Sequence, residues 1–422
     1  MKLLVIVLFA LTYVLMLSVP TKRHYIALAV AAIYVGLGVV NPSEAFEAVD
    51  WNIIMMLFGT MGTVYLFIES KMPNRISDIM INKIKSVKLV LIFMALFAGL
   101  VSAFIDNVAT VLMLAPIAIA ISKKFGVSPV KSVLTVAVSS NLQGAATLVG
   151  DTTSILLGGY ANMDFIDFFV MNGKPGMFFV VQAGAVATIP VLYWIFRKEK
   201  SRIDEMPVTE VTNMFPTLAL VATVICLIIA SFLPQKPATT NGMICILLFA
   251  MALIYELNVN KSKGMVKGSI EAIDFQTLAL LCGLFIIIRG ITNVGLIEDI
   301  GNLFVAISGD SVFFIYTILV WFSVIISAFI DNIPYTATML PVVSSISASL
   351  GIDPTVLYFG LLAGATLGGN ITPVGASANI AAGGILRKEG YEVSTKEFIS
   401  IGIPFTLCAV VTGYLLIWLI YG

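Results

Sequence analysis

The hexapeptide Ser-Ala-Phe-Ile-Asp-Asn occurs twice in this chain, at 102–107 and 327–332, and each copy interrupts a long apolar run. A carboxylate in the middle of such a run restricts what the chain can become. Composition says which solvent surrounds it: of 422 residues 59% are hydrophobic and 11% charged. A soluble domain carries about 25% charged residues to cover its surface. The surrounding medium is therefore lipid, and the fold class expected is an all-α polytopic membrane protein.

Apolar runs of spanning length fall near 3–19, 25–41, 51–68, 132–160, 176–196, 214–233, 242–257, 275–292, 355–385 and 398–420. Each holds about the 20 residues that a bilayer core requires, or more where a break is expected. Residues 1–19 lack a small-residue cleavage site and are expected to be the first span rather than a signal peptide. Two further runs, 89–121 and 311–349, contain the Ile-Asp-Asn interruptions and are expected to be re-entrant hairpins. The polar stretch 71–88 is expected to lie along the interface as an amphipathic connector.

Basic residues set the sidedness. Lys22 and Arg23; Lys71, Arg75, Lys83, Lys85 and Lys88; Lys123, Lys124 and Lys131; Arg197, Lys198, Lys200 and Arg202; Lys261, Lys263 and Lys267; and Arg387, Lys388 and Lys396 all fit one cytoplasmic side. Acidic loops alternate with them: Glu44, Glu47 and Asp50; Asp164 and Asp167; Glu298, Asp299 and Asp310. The expected topology has ten spans, the first hairpin entering from inside, the second from outside, and both termini outside an inner membrane.

The halves repeat. Asp50–Gly59 matches Asp274–Gly283 at an offset of 224, and the hexapeptides match at 225, as do Pro116 and Pro341, Pro129 and Pro354, Gly150 and Gly375, and Gly159 and Gly384. Five spans and a hairpin per half make the halves, 1–205 and 206–422, oppositely oriented. Such inverted repeats are a common plan of secondary transporters, whose site lies between the halves.

Four polar breaks carry the chemistry: the hairpin tips Asp106-Asn107 and Asp331-Asn332, and two expected broken helices at 147-TLVGDTTS and 370-NITPVGASAN. Gly150, Gly375 and Pro373 permit a helix to stop. Asp151, Thr152, Thr153, Ser377 and Asn379 suit a restart. Three aspartates in lipid cost on the order of 8–10 kcal/mol by insertion scales, while capping returns only about 1 kcal/mol each. A bound cation or proton accounts for the difference. The candidate binding residues are Asp106, Asn107, Gly150, Asp151, Thr152, Thr153, Ser154, Asp331, Asn332, Gly375, Ser377 and Asn379, with Na+ expected at Asp106, Asn107, Asp331 and Asn332. Asn141, Gln143, Thr366 and Asn370 are candidates to line the path. Arg289 is expected to snorkel toward the interface, and His24 to be structural.

Nothing else in the sequence suggests another chemistry. Cys226, Cys245, Cys282 and Cys408 stand singly, which supports neither a disulfide framework nor a metal cluster, and no cofactor is expected. The net charge is zero, so no nucleic-acid partner is implied.

The segments SAFIDN-VATVLMLAP, SAFIDNIPYTATMLP and GGNITPVGASANIAAGG resemble the ArsB/NhaD branch of the ion transporter superfamily, with its citrate transporter-like domain, and in particular its P-protein-like permeases. The resemblance runs from about 50 to 410. It implies a homodimer, a scaffold domain, and a mobile domain carrying hairpins and broken helices in elevator-like alternating access. By position, Asp106, Asn107, Asp331 and Asn332 match the tip motifs, and 150–154 and 375–379 the broken-helix motifs. P-protein-like members usually read Gly-Asp-Pro-Pro-Asn at the first break. This chain reads Gly150-Asp151-Thr152-Thr153-Ser154, more like the sodium/proton antiporter members.

Three functions fit these residues in unequal degree. In Na+/H+ antiport, three carboxylates with no well-placed basic side chain bind Na+ and protons alternately, with neighbouring amides and hydroxyls as neutral ligands. In a Na+- or H+-coupled permease for citrate, dicarboxylate or arsenite, the carboxylates hold the coupling ion and helix N-termini hold the anion. An intramembrane aspartyl protease using Asp106 and Asp331 requires a Gly-x-Gly-Asp motif, and Leu148 stands at its first glycine.

Overall fold

The computed structural model describes residues 1–84, 86–199, 201, 207–211, 213–233, 235–309 and 311–422. Lys85, Lys200, Arg202, Asp310 and the expected boundary at 205/206 lie outside the described residues. The first ten helices are α1 (Lys2–Ser18), α2 (Arg23–Gly36), α3 (Pro42–Ala48), α4 (Trp51–Glu69), α5 (Met72–Asn82), α6 (Val87–Ser102), α7 (Asn107–Lys124), α8 (Pro129–Gly144), α9 (Thr152–Tyr160) and α10 (Met177–Ile195). Ten more follow: α11 (Phe215–Ser231), α12 (Thr240–Asn258), α13 (Lys263–Glu271), α14 (Phe275–Asn293), α15 (Leu296–Ser308), α16 (Val312–Ser327), α17 (Asn332–Leu350), α18 (Thr355–Gly368), α19 (Ser377–Lys388) and α20 (Thr395–Tyr421). Helix n of the first set corresponds to helix n+10 of the second, short elements included. A two-stranded hairpin pairs Val170–Met171 with Lys174–Pro175.

Among the described residues, six helical segments are long and apolar enough to cross a membrane on their own, including α4, α7, α10, α12 and α20, and shorter apolar helices accompany them. The protein is a polytopic all-α membrane protein. The hairpin expected at 89–121 is α6, a turn at 103–106, and α7; that expected at 311–349 is α16, a turn at 328–331, and α17. The expected broken runs are α8 and α9 on either side of 145–151, and α18 and α19 on either side of 369–376. The connector over 71–88 is shorter than expected and helical only as α5. Its counterpart α15 was expected to be loop. Glu298 and Asp299 in its first turn mark it as a helix start, since acidic groups favour the positive end of the helix dipole.

Lys2–Asp299 and Lys236–Asp164 join segments of the acidic face, and Lys123–Glu389 joins segments of the basic face. Packing joins helices within each half, as α6 with α8 and α16 with α18, and also crosses between the halves. α2 lies on α14 and α4 on α12 in one group; α10 lies on α20, α7 on α19 and α17 on α9 in the other.

The repeated residues are explained by one interlock built twice. Thr147 Oγ1 donates to the Ala103 carbonyl, and Thr372 Oγ1 to the Ala328 carbonyl. A Cβ at Gly150 would lie 2.6 Å from the Gly144 oxygen, 2.9 Å from that of Ser102 and 3.0 Å from that of Ala103. At Gly375 the corresponding distances are 2.6 Å to Gly369, 2.8 Å to Ser327 and 2.9 Å to Ala328. The end of each hairpin's first helix is thus clamped against the break of the following helix, and the Ser-Ala of the hexapeptide supplies the contact surface. Gly150→Ala and Gly375→Ala should each lower stability by about 1–3 kcal/mol through overpacking against backbone that cannot yield. Gly383→Ala, with no atom within 4 Å of the added Cβ, should not. Thermal unfolding of the purified variants checks this.

Candidate ion-binding site

The hairpin tips and helix breaks converge because each begins a helix in the interior. Asp106 caps α7, accepting from the Val108 and Ala109 amides at 2.9 and 3.1 Å. Asp331 caps α17 through the Ile333 amide alone, at 3.0 Å. Pro334 stands where the first half has Ala109, and it has no N–H to give. Each aspartate caps through one oxygen, Oδ2 in Asp106 and Oδ1 in Asp331; the other oxygen of Asp331, Oδ2, takes Arg23 Nη1 at 2.6 Å and Ser377 Oγ at 3.3 Å. Asp151 caps α9 through the Thr152 amide at 2.7 Å, and its second oxygen accepts from Thr153 Oγ1 at 3.0 Å and Asn332 Nδ2 at 3.3 Å.

Asp106, Asn107, Asp151, Thr152, Asn332 and Ser377 share the wall of a cavity of about 200 Å³. Asp274 and Thr277, from the start of α14, complete it. Asp274 is exposed, so the cavity reaches the surface at the basic-face end of α14. It caps that helix through the Thr277 amide at 3.0 Å and accepts Thr277 Oγ1 at 2.6 Å. No Lys, Arg or His stands in the wall among the described residues. Beyond Asp106 and Asp151, Leu57, Phe104, Val149 and Ile155 close around a gap of only about 20 Å³. A second cavity of about 570 Å³ lies on the acidic face, lined by Glu47, Asp50, Asp164 and Lys236 among others.

The other expected site residues lie behind this wall. Asn107 donates to Asn141 at 2.8 Å; Asn141 donates to Asn370 at 2.8 Å and Asn379 at 3.1 Å. Asn370 in turn holds the Val138 carbonyl at 3.0 Å, and Asn379 the Gly369 and Thr372 carbonyls at 2.9 and 3.0 Å. Thr153 reaches Thr366 at 2.9 Å, and Ser154 donates to the Gly144 carbonyl at 3.0 Å. Gln143 and Gln182 exchange two side-chain hydrogen bonds, at 3.0 and 2.6 Å. None of the expected path residues Asn141, Gln143, Thr366 and Asn370 is in the cavity wall. Asn141 and Asn370 bond each other, Gln143 pairs with Gln182 and Thr366 with Thr153, in the interior where an unmet polar group is expensive. Gly150 and Gly375 serve close packing, as described above.

Two readings from sequence need correction. A basic side chain is well placed: Arg23, taken as a topology marker at the α1–α2 turn, extends its long side chain to Asp331. Of the four residues at which Na+ was expected, Asp106, Asn107 and Asn332 stand in the cavity wall, and Asp331 is paired with Arg23. Asp274 was missed, although its signal was present: it is the repeat mate of Asp50, immediately before an apolar run.

Many apolar helices, with two runs broken, surround a cavity that carries three carboxylates in its wall, an arrangement that suits a membrane transporter. The chain belongs to the citrate transporter family, whose model, CitMHS: Citrate transporter, matches residues 13–364. An uncharacterized transporter of Mycobacterium tuberculosis (strain H37Rv) is 28% identical over 431 residues, covering 100% of this chain and 99% of the relative. The human P protein is 24% identical over 461 residues, covering 89% of this chain and 54% of its own length. Among solved structures, the YdaH transporter of Alcanivorax borkumensis shares the fold with a TM-score of 0.57 at 14% identity, covering 88% of this chain and 84% of that one. MtrF of Neisseria gonorrhoeae, described with a class of antimetabolite efflux pumps, gives 0.57 at 15% identity, with 92% and 83% covered.

The amide cluster should behave as one unit. Asn141→Ala should lower stability by about 1–2 kcal/mol, the upper range for interhelical hydrogen bonds in membranes. A double-mutant cycle with Asn379→Ala should show a coupling of about 0.5–1 kcal/mol, since the two changes remove one shared contact. Denaturant unfolding of the two single variants and the double variant measures both.

Proposed function

We propose that this transporter exchanges Na+ for H+ across the cell's inner membrane. The observation that carries the reading is the cavity wall: Asp106, Asp151 and Asp274 line it, and no basic side chain does among the described residues. Such a wall attracts a cation and repels a free multivalent anion. Carboxylates exchange one Na+ for one proton without change of charge, while Asn107, Asn332, Thr152 and Ser377 offer neutral oxygens.

The two cavities support an alternating-access reading. The site is open toward the basic face, read as cytoplasmic, and closed toward the acidic face by Leu57, Phe104, Val149 and Ile155. In this proposal 1–205 and 206–422 are oppositely oriented repeats, both termini lie outside, and two copies associate through the α2–α14 and α4–α12 group. The other group carries the site between faces in an elevator-like motion. A protease pair of Asp106 and Asp331 finds no support, since a guanidinium on Asp331 prevents the two from sharing a proton.

The family favours a second reading, a Na+- or H+-coupled permease for citrate or a related small anion. One structural observation suits it. α19 starts at Ser377, in the cavity wall, with no side-chain cap from Ala376, while its mate α9 is capped by Asp151. An uncapped helix start presents N–H groups to an anion.

Reconstitution separates the two. Liposomes holding a pH dye, given an inward Na+ gradient with no organic anion, should show proton efflux from about pH 6 to 9, the range open to a buried carboxylate. Asp106→Asn should reduce the initial rate by at least about tenfold, the loss of one charged ligand. Proton movement that appears only when citrate is added would transfer the assignment to the second reading.

A further inference from the structure

The two hexapeptides are identical, yet their aspartates meet different surroundings. We propose that Arg23 is a specificity-determining residue: a tethered cation that fills the position at Asp331 and leaves the cargo only the Asp106–Asp151 side of the cavity. The inference rests on the cation reading above.

Geometry supports it at three points. Arg23 Nη1 lies 2.6 Å from Asp331 Oδ2, and the two side chains are 26% and 9% exposed, so little water screens the pair. Pro334 leaves Asp331 one capping amide, that of Ile333, where Asp106 has those of Val108 and Ala109, so the charge of Asp331 is less compensated by the helix start and its other oxygen accepts the guanidinium. The corresponding loop of the second half, between α11 and α12, carries Lys236, which does not serve Asp106. It is bonded to Asp164 and, at 3.2 Å, to the Ala230 carbonyl.

A guanidinium keeps its charge at any physiological pH. A Na+ arriving at Asp331 must displace a cation that never leaves its vicinity, whereas at Asp106 it displaces only water or a proton. Removing one partner of a partly buried pair leaves a charge in need of compensation. Without Arg23, Asp331 becomes a vacancy for a cation.

Bound Na+ tests this without transport. Purified full-length protein in detergent is equilibrated with radioactive Na+, and ions bound per chain are counted for wild type, Arg23→Gln, Arg23→Lys and Arg23→Gln/Asp331→Asn. Arg23→Gln should bind about one more Na+ per chain than wild type, one charge replacing one charge. Arg23→Lys should match wild type, and the double variant should lose the gain. No gain in Arg23→Gln, or a gain that persists in the double variant, overturns the proposal. Arg23→Met gives the same measurement if the glutamine variant does not fold. The antiport reading fails separately: wild type that binds no Na+ while Arg23→Gln binds it would end that reading and leave the role of Arg23 standing. Binding by none of the proteins overturns both.

Discussion

Lipid offers no partner to a backbone amide or carbonyl, so each interruption of a helix within a membrane must be closed from inside the protein. The rest of this structure depends on how that is done. Thr147 and Thr372 bind the carbonyls of Ala103 and Ala328, and Gly150 and Gly375 let the breaks approach the same strand of carbonyls without a side chain between. With those groups satisfied, the helix starts at Asp106, Asp151, Asp331 and Ser377 are held close to one another. A cavity with carboxylate walls results from closing the backbone, before any ligand is considered.

The fold was largely legible in the sequence because lipid makes the rules few. Apolar runs, the two hexapeptides and the matching glycines locate the hairpins and the breaks to within a few residues. Amphipathic α15 was not legible as a helix, since Glu298, Asp299 and Asp310 read together as an acidic loop until the repeat mate α5 is considered. The site was legible in part. Spacing along the chain identified the tips and breaks, and six of the expected residues do meet in one wall: Asp106, Asn107, Asp151, Thr152, Asn332 and Ser377. It could not separate wall from backing. Asn141 and Asn370, expected along the path, and Asn379, expected as a ligand, are hydrogen-bonded to one another through Asn141. Arg23 was invisible as a site residue because it lies 308 positions from its partner.

Duplication supplied two equal frameworks, and single substitutions made them unequal. Asp151 has Ala376 as its mate, Ala109 has Pro334, and Asn141 has Thr366. Each change alters one donor or acceptor, and together they place two carboxylates on an open cavity and a third on an arginine. Motif identity is thus a poor guide to role here. What a repeated aspartate does depends on which amides and side chains its neighbours leave for it.

The crossing of the two halves in packing also sets a schedule for biosynthesis. α2 has its partner in α14, α4 in α12 and α10 in α20, and Asn141 finds Asn370 only 229 residues further along. At ribosomal rates of about 5–20 residues per second, roughly 10–45 s separate the two asparagines. During that interval the early helices rest in the bilayer with their polar sides unanswered. Delays in making the second half, by slow codons or stalled insertion, would prolong the period in which the first half is open to degradation.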